Sequence, residues 1–217
     1  MYFEEWEPVY ERIIKEMGYS RLQDEASARM LRHMILNKRL IDVDDLIPLM
    51  SGVVNVVGAA VVPEELTDID GTVICAGSSA KTLIEANLIP EILITDLDGD
   101  LVPQAECCRR GAVAVIHAHG DNADLIQQHL HLFNGPIIAT TQSRPDLLMV
   151  NMGGFTDGDR AVCMARHLGA KKIRLVGFDF ERPIVSEGED LSVKKTKLKW
   201  AKHIIFDMNP PSVEIIW

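Results

Sequence analysis

The 217-residue sequence predicts an α/β fold: a mostly parallel sheet flanked by helices, with a small helical segment at the N-terminus. Three observations carry this. From residue 53 onward short β-branched runs alternate with helical patterns, the rhythm of strand–crossover–strand units. The strand runs are mostly apolar, as strands buried on both faces are. Polar residues cluster just after these runs, where ligands bind in doubly wound sheets.

Residues 1–50 read as helical. Trp6, Tyr10, Ile13, Ile14 and Met17 recur at helical spacing, and Gly18 offers a stop. A second helix is expected over about 22–38, with Ala26, Met30, Met34 and Ile35 facing inward. Strands are expected at VVNVVG (53–58), TVICA (72–76), ILIT (92–95), VAVIHA (113–118), PIIAT (136–140), DLLMVN (146–151) and IRLVGF (173–178). HIIF (203–206) and VEIIW (213–217) read as an antiparallel edge pair joined through Asn209-Pro210-Pro211. With no internal repeat or low-complexity linker, the simplest division is a helical segment over 1–50 and an α/β catalytic domain over 51–217.

Composition narrows the function. A net charge of −10 argues against a general nucleic-acid binder, which needs basic surface to displace counterions. Acidic residues also build cation sites, but only position can establish that. Cys75, Cys107, Cys108 and Cys163 form no C-x-x-C pair and read as free thiols of a reducing cytosol. The acidic, amphipathic N-terminus lacks the basic and apolar regions of a signal peptide, and no apolar run would span a bilayer. A cytoplasmic protein is expected; homo-oligomerisation stays open.

Four segments after strands carry the chemistry. They are Asp96-Leu97-Asp98-Gly99-Asp100, His119-Gly120-Asp121-Asn122, Gly153 through Arg160, and Phe178-Asp179-Phe180. Each taken alone could be a turn or a helix cap, since Asp, Asn and Gly favour both. Together they put several carboxylates at successive ends of one sheet. An Asp-x-Asp there suits Mg²⁺, which takes one or two carboxylates plus phosphate oxygens and retained waters. The first segment begins like an EF-hand loop, but Cys107 stands where that loop needs glutamate. No spacing among His117, His119, His129 and His131 matches a zinc site, and His119 reads as a phosphate or substrate contact. In the run 193–203, Lys194, Lys195 and Lys197 are either a solvated face or a triphosphate contact. Gly77-Ser78-Ser79-Ala80-Lys81-Thr82 lacks the spacing of a phosphate-binding loop.

The blocks TDLDGD (95–100), HAHGDN (117–122), TTQ (140–142), NMGGFTDGDRA (151–161), GFDF (177–180) and KKTKLKWA (194–201) resemble the archaeal 6-hydroxymethyl-7,8-dihydropterin pyrophosphokinase family. The resemblance runs from about residue 53 to the C-terminus. It departs at two turns: where the family carries G-x-G-P-S-L and A-D-G-A, this chain has Gly58-Ala59-Ala60-Val61-Val62 and Cys75-Ala76-Gly77-Ser78-Ser79. The family is similar in fold to the thiamine pyrophosphokinase catalytic domain.

The resemblance implies transfer of diphosphate from ATP to the pterin alcohol, with Mg²⁺, on the route to tetrahydromethanopterin or folate-type cofactors. It implies Asp96 and Asp98 as metal ligands, with Asp121 as a further one. Asp157 or Asp159 would orient the acceptor or take its proton, with Arg160 beside them. His119, Asn122, Lys194, Lys195 and Lys197 would face nucleotide and phosphates, and Gln142, Gly154, Phe155 and Asp179 the pterin. Alternative readings are a pyrophosphokinase for thiamine or another heteroaromatic alcohol, a nucleotide-sugar transferase using Asp-x-Asp, and a non-catalytic nucleotide-binding module.

Overall fold

The computed structural model describes residues 1–184 and 190–217. Two helices come first, α1 (Phe3–Met17) and α2 (Arg21–Met34). Eight strands follow: β1 (Val53–Val57), β2 (Thr72–Ala76), β3 (Ile92–Thr95), β4 (Val113–Ala118), β5 (Ile137–Thr141), β6 (Met149–Val150), β7 (Lys172–Val176) and β8 (Glu214–Ile216). Between them lie α3 (Ala80–Glu85), α4 (Leu101–Arg109), α5 (Ala123–His129), α6 (Asp157–His167) and α7 (Leu191–Lys202).

The strands form one sheet in the order β6-β5-β4-β3-β2-β1-β7-β8, every pair parallel. The chain thus winds outward from β1 to β6, then returns to lay β7 on the free side of β1. Loops after β1 and β7 leave in different directions, which opens a crevice at their carboxyl ends.

Alternation along each strand divides the core between two faces. Leu93, Ile116 and Ile137 point with Leu31, Ile35 and Leu83 into the layer holding α2 and α3. Val54, Val56, Ile92, Ile94 and Val115 point the other way, against Val162 and Met164 of α6. Burying apolar surface on both faces contributes roughly 25 cal/mol per Å², which is why these runs carry so few polar residues. A third cluster joins Trp6, Tyr10 and Ile13 of α1 to Cys163 of α6 and to Ile204. α1 ends as expected, with Gly18 at φ +70°.

The sequence expectation fails at three places. HIIF is a wide-turned π-helical continuation of α7 over His203–Asp207, the Met208 amide bonding back to the His203 carbonyl, with Ile204 and Ile205 fully buried. β8 then pairs parallel to β7, Lys172 opposite Glu214, so no antiparallel edge pair exists among the described residues. A four-residue apolar run fits a buried helical turn as well as a strand. α2 ends at Met34 and buries Asp24, Ser27, Ala28 and Leu31, with Ala26 exposed, while Ile35 is buried and Met30 and Met34 pack against the core as expected. All four cysteines are free and buried. No helix among the described residues is long and apolar enough to cross a membrane.

Candidate active site

Short loops at the strand ends frame a cleft of about 480 Å³. At its centre stands the turn after β3. Leu97 is wholly buried at φ +66°, a conformation a leucine rarely adopts. Its side chain anchors the turn in the core while Asp96 and Asp98 on either side line the cleft. The turn is fastened from beneath. Thr95 Oγ1 receives the Leu97 amide at 2.9 Å and donates to Gln104 Oε1 at 2.6 Å; Gln104 Nε2 donates to the Asp98 carbonyl at 2.9 Å. A leucine in this conformation costs on the order of 1–3 kcal/mol, and the network of bonds beneath the turn holds it there.

Asp96 Oδ2 lies 3.0 Å from His119 Nε2, and its Oδ1 accepts the Asp98 amide at 3.3 Å. Asp157, first residue of α6, comes over Gly77. A side chain at Gly77 would put its Cβ 3.2 Å from Asp157 Oδ2, so the glycine is what admits the carboxylate. Asp96, Asp98 and Asp157 therefore converge, and their pKa values report it. Enclosure by protein and the charge of Asp96 push Asp98 up to about 6, against the pull of Lys194. Enclosure, then Asp96 and Asp98, drive Asp157 well above the usual carboxylate range, opposed by Arg160 and the Gly77 amide. Enclosure would raise Asp96 too, but its hydrogen bond to His119 and the charge there win and hold it low. Crowded carboxyls of this kind mark functional sites more often than structural ones.

Positive charge surrounds this centre. Arg160 is 4% exposed, lines the cleft, and its Nε has no hydrogen-bond partner. Burial lowers its pKa while Asp159, Asp157 and Asp96 act to raise it. Lys194 and Lys197 of α7 and Arg182 of the loop after β7 also line the cleft. Among the described residues no three acidic, histidine or cysteine side chains are placed to enclose a metal by themselves. Mg²⁺ takes one or two protein carboxylates and completes its shell with substrate phosphates and water. The donor set of Asp96 and Asp98 fits it.

The expected residues divide clearly. Asp96, Asp98, His119, Asp121, Gln142, Phe155, Asp157, Arg160, Asp179, Lys194 and Lys197 all line the cleft. Asn122, Gly154, Asp159 and Lys195 do not. Asn122 is 2% exposed and ties the loops together, donating to the Asp96 and His117 carbonyls and accepting the His119 amide. Gly154, at φ +97°, has the Arg160 Cα 2.4 Å from where a Cβ would stand; it lets the loop lie on α6. Asp159 is wholly buried and accepts from the Phe155 and Thr156 amides and the Thr156 hydroxyl, capping α6. Lys195 is on the exposed side of α7. Asp179 lines the cleft with its carboxylate engaged by the Glu181 and Arg182 amides and by Arg182 Nε at 2.7 Å.

Cleft residues the sequence did not single out include Tyr19, Gln23 and Asp24 from the N-terminal helices, and His117. Asp24 is 1% exposed; it accepts from the Tyr10 hydroxyl, the Gly120 amide and Gln142 Nε2. Its partners are remote in sequence, so no local pattern announces it. His117 did carry a signal, a polar residue closing an apolar strand. The altered first turn closes by other means: Gly177 O receives the Ala60 amide at 2.9 Å, and a Cβ on Gly58 would meet that same oxygen at 2.8 Å.

A family model described as MptE-like, 6-hydroxymethylpterin diphosphokinase, matches residues 65–184. A Pyrococcus furiosus protein named 6-hydroxymethyl-7,8-dihydropterin pyrophosphokinase is 42% identical, over 83% of this chain and 79% of that one. Proteins of the same name from Methanocaldococcus jannaschii and Methanothermobacter thermautotrophicus are 34% and 37% identical, covering 94% and 92% of this chain and 95% and 92% of theirs.

Proposed function

This chain belongs to the MptE-like 6-hydroxymethylpterin diphosphokinase family, and we propose that it carries diphosphate from ATP to 6-hydroxymethyl-7,8-dihydropterin, with Mg²⁺, releasing AMP. The product would feed tetrahydromethanopterin or folate-type cofactors. The observation that carries this reading is the convergence of Asp96, Asp98 and Asp157 under a ring of cations, Arg160, Lys194 and Lys197. Such a centre is built for a highly charged phosphate substrate that brings its own metal.

The acceptor oxygen bonds to the β-phosphorus, the bond from that phosphorus to the α,β-bridging oxygen breaks, and AMP leaves with the bond's electrons. The hydroxyl proton must go to a base. Asp157 would take it, its carboxyl lining the cleft with its proton affinity raised by enclosure and by the charges of Asp96 and Asp98, whereas the oxygens of Asp159 are taken up in capping α6. Asp96 and Asp98 would hold Mg²⁺, which when bound screens the β- and γ-phosphate charge. His119 orients the Asp96 carboxylate through their 3.0 Å contact. Arg160, Lys194 and Lys197 oppose charge on the transferring and departing groups. Positioning and fixed electrostatics supply most of the catalysis in phosphoryl transfer.

A panel of alcohols (the reduced pterin, thiamine and other heteroaromatic carbinols) offered with Mg·ATP tests the reading. Diphosphate should pass to the pterin alcohol with a kcat/KM at least tenfold above any other. Preferential transfer to thiamine, or nucleotide binding with no acceptor turned over, would overturn it.

A further inference from the structure

The cleft has two flanks that the sheet order keeps apart. β4 and β7 are separated by β3, β2 and β1, four strand spacings or about 19 Å. Asp96 and Asp98, after β3, lie one spacing from β4 and three from β7. The basic residues Arg182, and Lys194 and Lys197 of α7, follow β7 in the chain and line the same cleft, with Lys194 near enough to act on Asp98. The β4–β5 flank is different in kind. It is lined by His117, Gln142 and Phe155, and by Tyr19, Gln23 and Asp24 from the N-terminal helices.

Several features on this flank belong to a ring-binding pocket. His117 is 1% exposed and lines the cleft; its Nδ1 is engaged by Thr140 Oγ1 at 2.9 Å, and its Nε2, beside the Gln142 side chain, makes no well-formed hydrogen bond among the described residues. A buried polar atom that lacks a well-formed partner is destabilising, and a ligand's polar edge relieves it. Burial keeps the ring neutral by pushing its pKa well below 6.5, so it suits an uncharged heterocycle and not a phosphate. Tyr19 and Phe155 meet at 6.3 Å between centroids, an aromatic wall of the same cleft. The buried Asp24 carboxylate clamps Gln142 at 3.0 Å and takes the Gly120 amide, which holds the corner rigid.

We infer that this corner is the acceptor subsite, in which a flat bicyclic heterocycle with an amide-like edge hydrogen-bonds His117 and lies against Tyr19 and Phe155, and that the N-terminal helices serve acceptor selection. ATP then enters from the β1–β7 flank, and its β-phosphorus meets the acceptor carbinol over Asp96. Asp24 is a positioning residue, acting through Gln142 and Gly120. The inference rests on the diphosphotransfer reading above.

The test is the separation of two Michaelis constants in Tyr19→Ala, His117→Ala and Lys197→Ala. In the first two, KM for 6-hydroxymethyl-7,8-dihydropterin should rise tenfold or more with KM for ATP within twofold of wild type. Lys197→Ala should do the reverse. A rise in ATP KM in Tyr19→Ala and His117→Ala, with acceptor KM unchanged, overturns the assignment. Tyr19 is 38% exposed, so its variant should fold even where His117→Ala does not. Calorimetric binding of the pterin alcohol to wild type and Tyr19→Ala separates the two readings. Binding that Tyr19→Ala weakens, in an enzyme that transfers nothing, sinks the reaction and keeps the subsite. Turnover with acceptor affinity unchanged in Tyr19→Ala sinks the subsite and keeps the reaction.

Discussion

Asp96 Oδ2 and His119 Nε2 are 3.0 Å apart, which couples the turn after β3 to the loop after β4 at the point where the carboxylates gather. The contact keeps Asp96 ionised and fixes the direction of its second oxygen. Asp96→Asn should abolish metal-dependent turnover, a fall on the order of 10³-fold or more in kcat, with an unchanged far-ultraviolet circular dichroism spectrum. His119→Ala should keep some activity and require more Mg²⁺ for half-maximal rate.

The pH dependence follows from carboxyls whose folded-state pKa is raised. Such a group contributes stability that is fully present below its unfolded value and is lost as pH rises through its folded value. For Asp98 the loss runs from 3.8 up to about 6, and Asp157 carries it higher. The metal-free protein should therefore lose this part of its stability as pH rises from 4 to beyond 6. Mg²⁺ has to displace these protons. Its effect on Tm should be several-fold larger at pH 7.5 than at pH 5, measured by differential scanning fluorimetry; equal effects at both would contradict the assignment.

Asp157 and Asp159 are separable by experiment. Asp159→Asn removes the acceptor for the Phe155 and Thr156 amides and should cost about 1–2 kcal/mol, the range of a lost cap. At this chain length that lowers Tm by roughly 2–8 °C, while measurable kcat persists. Asp157→Asn should show the opposite pattern: metal-free Tm no lower than wild type, because a crowded charge is gone, and kcat down on the order of 10²–10⁴-fold.

Glycine substitutions probe how closely the loops must approach. Gly177→Ala adds a Cβ 2.2 Å from the Val61 amide nitrogen at φ +66°, so the turns after β1 and β7 must part. It should destabilise the protein by about 2 kcal/mol or more and raise KM for ATP, with acceptor affinity little changed. Calorimetric titration of each substrate reads the difference.

Strands and acidic turns were legible because their signals are local: continuous β-branched runs, and Asp and Gly where each run ends. Residues whose role comes from remote partners were not. Asp24 looks like a solvent residue in a polar helix, and only Tyr10, Gly120 and Gln142 make its burial tolerable. Ala26 is the one expected inward residue that faces solvent; Ile35 is buried, and Met30 and Met34 pack against the same core. Asn122 and Asp159 sit within motifs that do reach the cleft, but their own side chains bond to backbone. Lys195 shows the limit of a charge run: Lys194 and Lys197, three apart, face the cleft, and the lysine between them does not.

The central claim is that the Asp96–Asp98–Asp157 centre passes diphosphate intact to a pterin alcohol. Phosphorus-31 nuclear magnetic resonance of one mixture of enzyme, Mg²⁺, ATP and 6-hydroxymethyl-7,8-dihydropterin tests it most directly. The account predicts AMP and pterin diphosphate in equal amounts, dependent on Mg²⁺ and absent with Asp96→Asn. Formation of ADP with a pterin monophosphate, or equal product from Asp96→Asn, would contradict it.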